Sequence, residues 1–183
     1  MPPPPSPTLR WANFAASQIA WLAAVMTAAQ GHPAWGLACI AAVIAWHLGV
    51  SARPWREAML VGVAALVGTL AETLQATQHL LVYAHSPDGL AAPAWIIGLW
   101  ALFAISLNVN LRWLRGRPLL AAAVGAIAGP AAFASGVRLG AARLVEPLPA
   151  LAMLAVVWAL ALPLLVHASS LLDGVSKENP TDA

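Results

Sequence analysis

The chain has 183 residues, of which 61% are hydrophobic and 9% charged, with a formal net charge of +2 and a mean hydropathy of +0.77. Soluble domains run about 45–50% apolar and about 25% charged, so a water-soluble enzyme is excluded. A secreted disulfide scaffold is excluded too, because Cys39 is the only cysteine.

An α-helix needs about 20 mostly apolar residues to cross a hydrocarbon core of about 30 Å. Six stretches approach or meet this: Trp11–Gln30, Ala34–Val50, Glu57–Leu80, Ala94–Leu114, Pro118–Leu139 and Leu148–Ser169. The breaks between them carry turn chemistry: Gly31-His32-Pro33, Ser51-Ala52-Arg53-Pro54, Ser86-Pro87-Asp88-Gly89, Arg115-Gly116-Arg117-Pro118 and Glu146-Pro147. No run alternates in polarity over about 10 residues, as a barrel strand would. The expected fold is therefore all-α, a polytopic bundle of six transmembrane helices. Residues 1–10, which are proline-rich, are expected to be disordered, residues 11–170 to form the membrane domain, and residues 171–183 to be a disordered tail. No cleaved leader is expected, since apolar stretches recur as far as His167.

Charge sets the direction. With the N-terminus cytoplasmic, the inner side collects Arg10, Arg53, Arg56, Arg112, Arg115, Arg117 and Lys177, and the outer side only Arg138 and Arg143. An even number of spans then puts both termini in the cytoplasm. The net positive charge reports topology, and no nucleic-acid partner is expected.

Small residues mark two packing faces. Asn13, Ser17, Ala20, Ala24, Thr27 and Gly31 share a line on the first helix, as do Gly125, Gly129, Ala132, Gly136 and Gly140 on the fifth. Such ridges let backbones approach closely in lipid. Pro130 and Pro163 stand inside the fifth and sixth helices, where each removes a backbone donor.

Glu72 is the one acid well inside a span; Glu57 stands at the edge of the same helix. A charge near the bilayer centre costs at least about 2.5–3.5 kcal/mol, so such a group faces protein or water. Gly68, Glu72, Gln75 and His79 fall within about 60° of one another, a polar stripe that could line a cavity. Glu72, Gln75 and His79 are thus the candidate catalytic or ligand-binding groups, with Arg138 as a candidate fourth. The competing reading is a glutamate that only ties two helices together, and Arg138 could equally snorkel to the headgroups. Asn13, Gln18, His47 and Asn108 form a possible second cluster near the inner side. Asn108 and Asn110 are about 200° apart on a helix and are not expected to share a site. His47 and His167 lie at similar depth, but there is no C-x-x-C-H motif, and no haem, other cofactor or metal is expected. No Walker, Rossmann or nucleophile-elbow motif occurs.

The order of these features resembles a bacterial integral-membrane family known as domain of unknown function 2878. The matching words begin with Asn13-Phe14, Gln18, Trp21, Gly31 and Trp35-Gly36. They continue with Gly68-x-x-x-Glu72, Pro93-x-Trp95, Leu99-Trp100-x-x-Phe103 and Leu107. Gly125-Ala126-x-x-Gly129-Pro130, Ser135-Gly136, Leu139-Gly140-Ala141, Trp158-Ala159 and Pro163-Leu164-Leu165 close the series. The family often carries aspartate where this chain has Glu72. The resemblance implies a multi-pass inner-membrane protein, found beside lipid-modifying enzymes, and supplies no activity.

Three readings follow: a protein that binds or modifies a membrane lipid near Glu72, a small proton-coupled transporter, and a non-catalytic subunit with a membrane-protein partner or a second copy of itself. The charge bias gives the first test. A reporter active only in the cytoplasm should work when fused after Lys177 and fail at Asp88; the opposite pattern overturns the topology.

Overall fold

A computed structural model describes residues 4–85 and 92–175. The turn at Ser86-Pro87-Asp88-Gly89 and Lys177 lie outside the described residues. The described residues form six α-helices: α1 (Pro7–Ala29), α2 (Pro33–Val50), α3 (Pro54–Thr77), α4 (Ala94–Leu107), α5 (Pro118–Arg138) and α6 (Pro147–Leu171). All but α4 start with proline in the first turn, where its missing N–H has no intrahelical acceptor to lose. Four of the prolines assigned to breaks, Pro33, Pro54, Pro118 and Pro147, are thus helix starts. For the same reason residues 7–10, expected to be disordered, are helical, with Ser6 Oγ accepting from Leu9 N at 3.2 Å.

Five of the helices are long and apolar enough to cross a membrane, as a multi-pass membrane protein requires. Their outward faces carry Ile19, Leu66, Leu70, Ile127 and Leu160, all more than 60% exposed, while alanine dominates the helix interfaces. This inverts the pattern of a protein folded in water.

The fourth helix is shorter than the predicted stretch Ala94–Leu114. The helix stops at Leu107 after 14 residues, about 21 Å of rise, and a 3₁₀ turn at Arg112–Leu114 follows. The stop is made by Ser106, whose carbonyl accepts from the amides of Val109, Asn110 and Leu111. Asn108, Val109 and Leu114 are buried, and irregular backbone at membrane depth is tolerated where protein encloses it. The short helix is central: α1, α2, α3 and α6 all pack on α4.

A second departure from the all-α expectation is a two-stranded antiparallel ribbon, β1 (Leu81–Tyr83) with β2 (Ala142–Leu144), in the register Leu81↔Leu144, Val82↔Arg143 and Tyr83↔Ala142. It ties the end of α3 to the end of α5. The expected disordered tail is corrected as well. Leu171 closes α6, and residues 172–175 fold back so that Gly174 O accepts from Arg53 N at 2.8 Å. Only glycine fits here, because a Cβ at Gly174 would meet the Arg53 carbonyl. Residues 176–183 lie outside the described residues.

The glycine ridge of α5 divides. A Cβ at Gly125 would strike the backbone carbonyl of Trp158 on α6, and one at Gly129 the Trp158 indole. Gly136 has nothing within reach of a Cβ, and Gly140 lies beyond the helix end with a left-handed φ of 85°. The ridge line ends where α5 does. Replacing Gly125 with leucine should therefore lower the melting temperature in detergent sharply, since overpacking typically costs about 1–3 kcal/mol and here the obstacle is backbone. Gly62→Leu, where a Cβ meets nothing within 4 Å, should melt close to the parent.

Candidate functional site

Two carboxylates on α3 are buried, one toward each end of the bundle. Glu72 is fully buried. Its Oε1 accepts from Trp100 Nε1 on α4 at 2.9 Å; its Oε2 accepts from Tyr83 Oη on β1 and from Gln75 Nε2 at 3.3 Å. Three donors answer one carboxylate, which is what burial away from water demands.

Tyr83 and Trp100 are also walls of a cavity of about 130 Å³. Seven aromatic side chains surround it: Trp21, Tyr83, Trp95, Trp100, Phe103, Phe133 and Trp158. Trp100 and Trp158 stack with centroids 4.4 Å apart and planes 14° from parallel, while Tyr83 stands edge-on to Trp95 and Phe103 edge-on to Trp158. Two glycines make room for the stacked pair, since a Cβ at Gly68 would run into Trp100 just as one at Gly129 runs into Trp158. The cavity adjoins a more open groove of about 470 Å³ through the shared residues Trp21, Leu99, Phe103 and Ala132. That groove lies between α1 (Ser17, Gln18) and α5 (Ala131, Ser135), over α4. Two residues of this lining each carry a buried polar atom with no hydrogen-bond partner among the described residues: Ser17 Oγ, from the groove, and Trp158 Nε1, from the cavity.

Of the candidates named from sequence, Glu72 and Gln75 are brought together. His79 is not: α3 ends at Thr77, and His79 lies exposed in a left-handed turn with φ 54°. The helical stripe stops short of it. Arg138 is exposed at the end of α5, and no contact with Glu72 is present among the described residues. The partners that sequence reasoning missed are Tyr83 and Trp100, which stand 11 and 28 residues from Glu72 in the chain.

At the other end of α3, Glu57 is the centre of a second network. Its Oε1 accepts from Asn108 Nδ2 and from the Gly174 amide, each at 2.7 Å, and its Oε2 from His47 Nε2 at 2.9 Å. With Nε2–H donating, His47 Nδ1 is left to accept from Asn13 Nδ2 at 3.4 Å. Asn110 Nδ2 donates to Asn13 Oδ1 at 2.8 Å. Asn108 and Asn110 thus join one network, contrary to the helical-wheel expectation, because the helix ends before them. Gln18 lines the groove instead, and His167 is exposed on α6, apart from His47. Arg115 closes the network, reaching Asn108 Oδ1 and donating to Asp173 Oδ2 at 2.9 Å, with Arg112 on the same oxygen at 3.0 Å. No group of three metal-ligating side chains exists among the described residues.

The model of a family described as protein of unknown function (DUF2878) matches residues 10–164. The chain belongs to the DUF2878 family. Comparison with curated proteins and with solved structures finds no match. The DUF2878 match covers Glu57, Glu72 and every residue of the aromatic cavity, and ends before Ser169, Asp173 and Gly174.

Glu72→Ala should strip the acceptor from three buried donors. At about 1–3 kcal/mol for each unsatisfied group, it should cost about 3 kcal/mol or more of stability in detergent. Tyr83→Phe, which removes one donor and leaves the carboxylate two, should cost about 1–2 kcal/mol. Thermal melts followed by tryptophan fluorescence measure both, and equal effects would contradict this bonding scheme.

Proposed function

We propose that this chain is a bacterial inner-membrane protein, crossing six times with both termini cytoplasmic, that holds a lipid or similarly apolar ligand in the aromatic cavity. The observation that carries the reading is the ring of seven aromatic side chains around a cavity that adjoins a groove between α1 and α5. Apolar cavities of roughly this size stay dry and take apolar guests, and a gap between two lipid-facing helices admits a molecule sideways from the bilayer.

In this reading Glu72 does not touch the ligand. It is a positioning residue that fixes the rotamers of Tyr83 and Trp100, so that their ring faces form the wall. Gln75 supports Glu72. The sixth span is α4, whose shortfall in length is made up because its ends are enclosed by the other helices.

The test is occlusion. Ala132 lines both cavity and groove, so Ala132→Trp should fill the passage while leaving the buried networks intact. Native mass spectrometry of the parent, at collision energies that strip annular lipid, should retain one bound lipid. The variant should lose most of it at an unchanged melting temperature. Equal retention in both proteins rejects the proposal.

A further inference from the structure

A second pocket, of about 160 Å³, lies between the start of α5 and the end of α6, away from the aromatic cavity. Its polar lining is Arg115, Arg117, His167 and Ser170, with no carboxylate, and Leu114 and Ala121 form its apolar floor. Arg115 is held rigidly: Nη1 donates to Asp173, and Nη2 to Asn108 and to Ser169 O at 3.1 Å. Its Nε is buried and has no hydrogen-bond partner. Arg117 and His167 are exposed at the rim. No side chain caps α5, so the first amides of that helix add their partial positive charge to the same opening.

The end of α6 would ordinarily oppose an anion, because its last carbonyls carry partial negative charge. Here four carbonyls near that end are taken. Val166 O accepts from Ser169 Oγ, His167 O from Ser170 Oγ, Ala168 O from Leu172 N and Ser169 O from Arg115. What the pocket offers outward is therefore the charge and donors of the Arg117 guanidinium and the imidazole of His167. Trp113, half exposed beside it, is the kind of residue that sits at headgroup level.

We propose that this pocket binds a phosphate group at the membrane surface, that of an anionic lipid headgroup. Basic pockets between membrane helices are suited to such headgroups, and the free phosphate ion shares their chemistry. The site is independent of the aromatic cavity and of whatever occupies it.

The experiment uses the full chain in nanodiscs or mild detergent, titrated with phosphatidylglycerol and, separately, with diacylglycerol, and read by native mass spectrometry. The variant is Arg117→Gln with His167→Gln, two rim residues outside the Glu57 network; Arg143→Gln, at the opposite end of the bundle, is the control. Phosphatidylglycerol should bind the parent and the control alike, and the double variant about tenfold more weakly. Diacylglycerol, lacking phosphate, should not distinguish the three. Displacement of the lipid by millimolar inorganic phosphate would support the same pocket with free phosphate as its occupant; no displacement supports the lipid. Unchanged phosphatidylglycerol binding in the double variant, or equal binding of diacylglycerol, overturns the proposal. The melting temperature of the double variant, expected to match the parent, separates lost binding from lost fold.

Discussion

The structure depends on the burial of two carboxylates on one helix. Glu57 and Glu72 are both sealed from solvent, about 22 Å apart along α3. An ionisable group in such surroundings is tolerable only when its oxygens are saturated by donors. The donors come from everywhere else: His47 on α2, Asn108 after α4 and the Gly174 amide after α6 for Glu57; Trp100 on α4 and Tyr83 on β1 for Glu72. Lipid gives helices no hydrophobic reason to associate, so packing and interhelical hydrogen bonds decide the arrangement. Both carboxylates bond to the α4 segment, and this holds the shortest helix at the centre.

A short central helix has consequences at both of its ends. Past Leu107 the chain turns inside the protein, which frees Asn108 and Asn110 from helical geometry and lets both reach one network. At the other end the β1–β2 ribbon covers the bundle and delivers Tyr83 to Glu72. Between them, α1 stays with α2 and α4 while α5 pairs with α6, and the space left between α1 and α5 is the groove. The large indoles fit beside it because Gly68 and Gly129 give up side-chain volume to Trp100 and Trp158. These glycines admit rings as much as they bring backbones together.

Most of the architecture was legible in the sequence. Long apolar runs gave the five long helices, and helical periodicity gave the buried face of α1 from Asn13 to Ala24. The importance of Glu72 was legible for one reason: an acid in an apolar run has to be explained. Its partners were not. Trp100 and Tyr83 meet it only through tertiary packing, and a three-residue strand such as β1 is too short to show a period. Errors arose where a helical wheel was carried past the end of its helix, as with His79, Gly140 and the Asn108–Asn110 pair. Arg138, a candidate fourth group with snorkelling as its alternative, is not needed by Glu72, because donors with smaller desolvation penalties, an indole and a phenol, already satisfy the carboxylate.

The two stacked indoles carry the argument from fold to function. Trp100 and Trp158 lie face to face at 4.4 Å in the same apolar surroundings, and each brings one N–H that has to find an acceptor or go unsatisfied. The fold answers the first: Trp100 Nε1 donates to Glu72 at 2.9 Å. It leaves the second without a partner. A buried donor without an acceptor costs about 1–3 kcal/mol, and Ser17 Oγ, on a residue that lines the groove, also has no partner among the described residues. Such atoms need an explanation, and under the proposed function a guest that shifts the surrounding walls would give them an acceptor. The same chain satisfies both α3 carboxylates completely, with three donors each, so polar groups are not left open by general looseness. All three open atoms among the described residues belong to side chains that line an opening: Trp158 the cavity, Ser17 the groove and Arg115 the pocket at the start of α5.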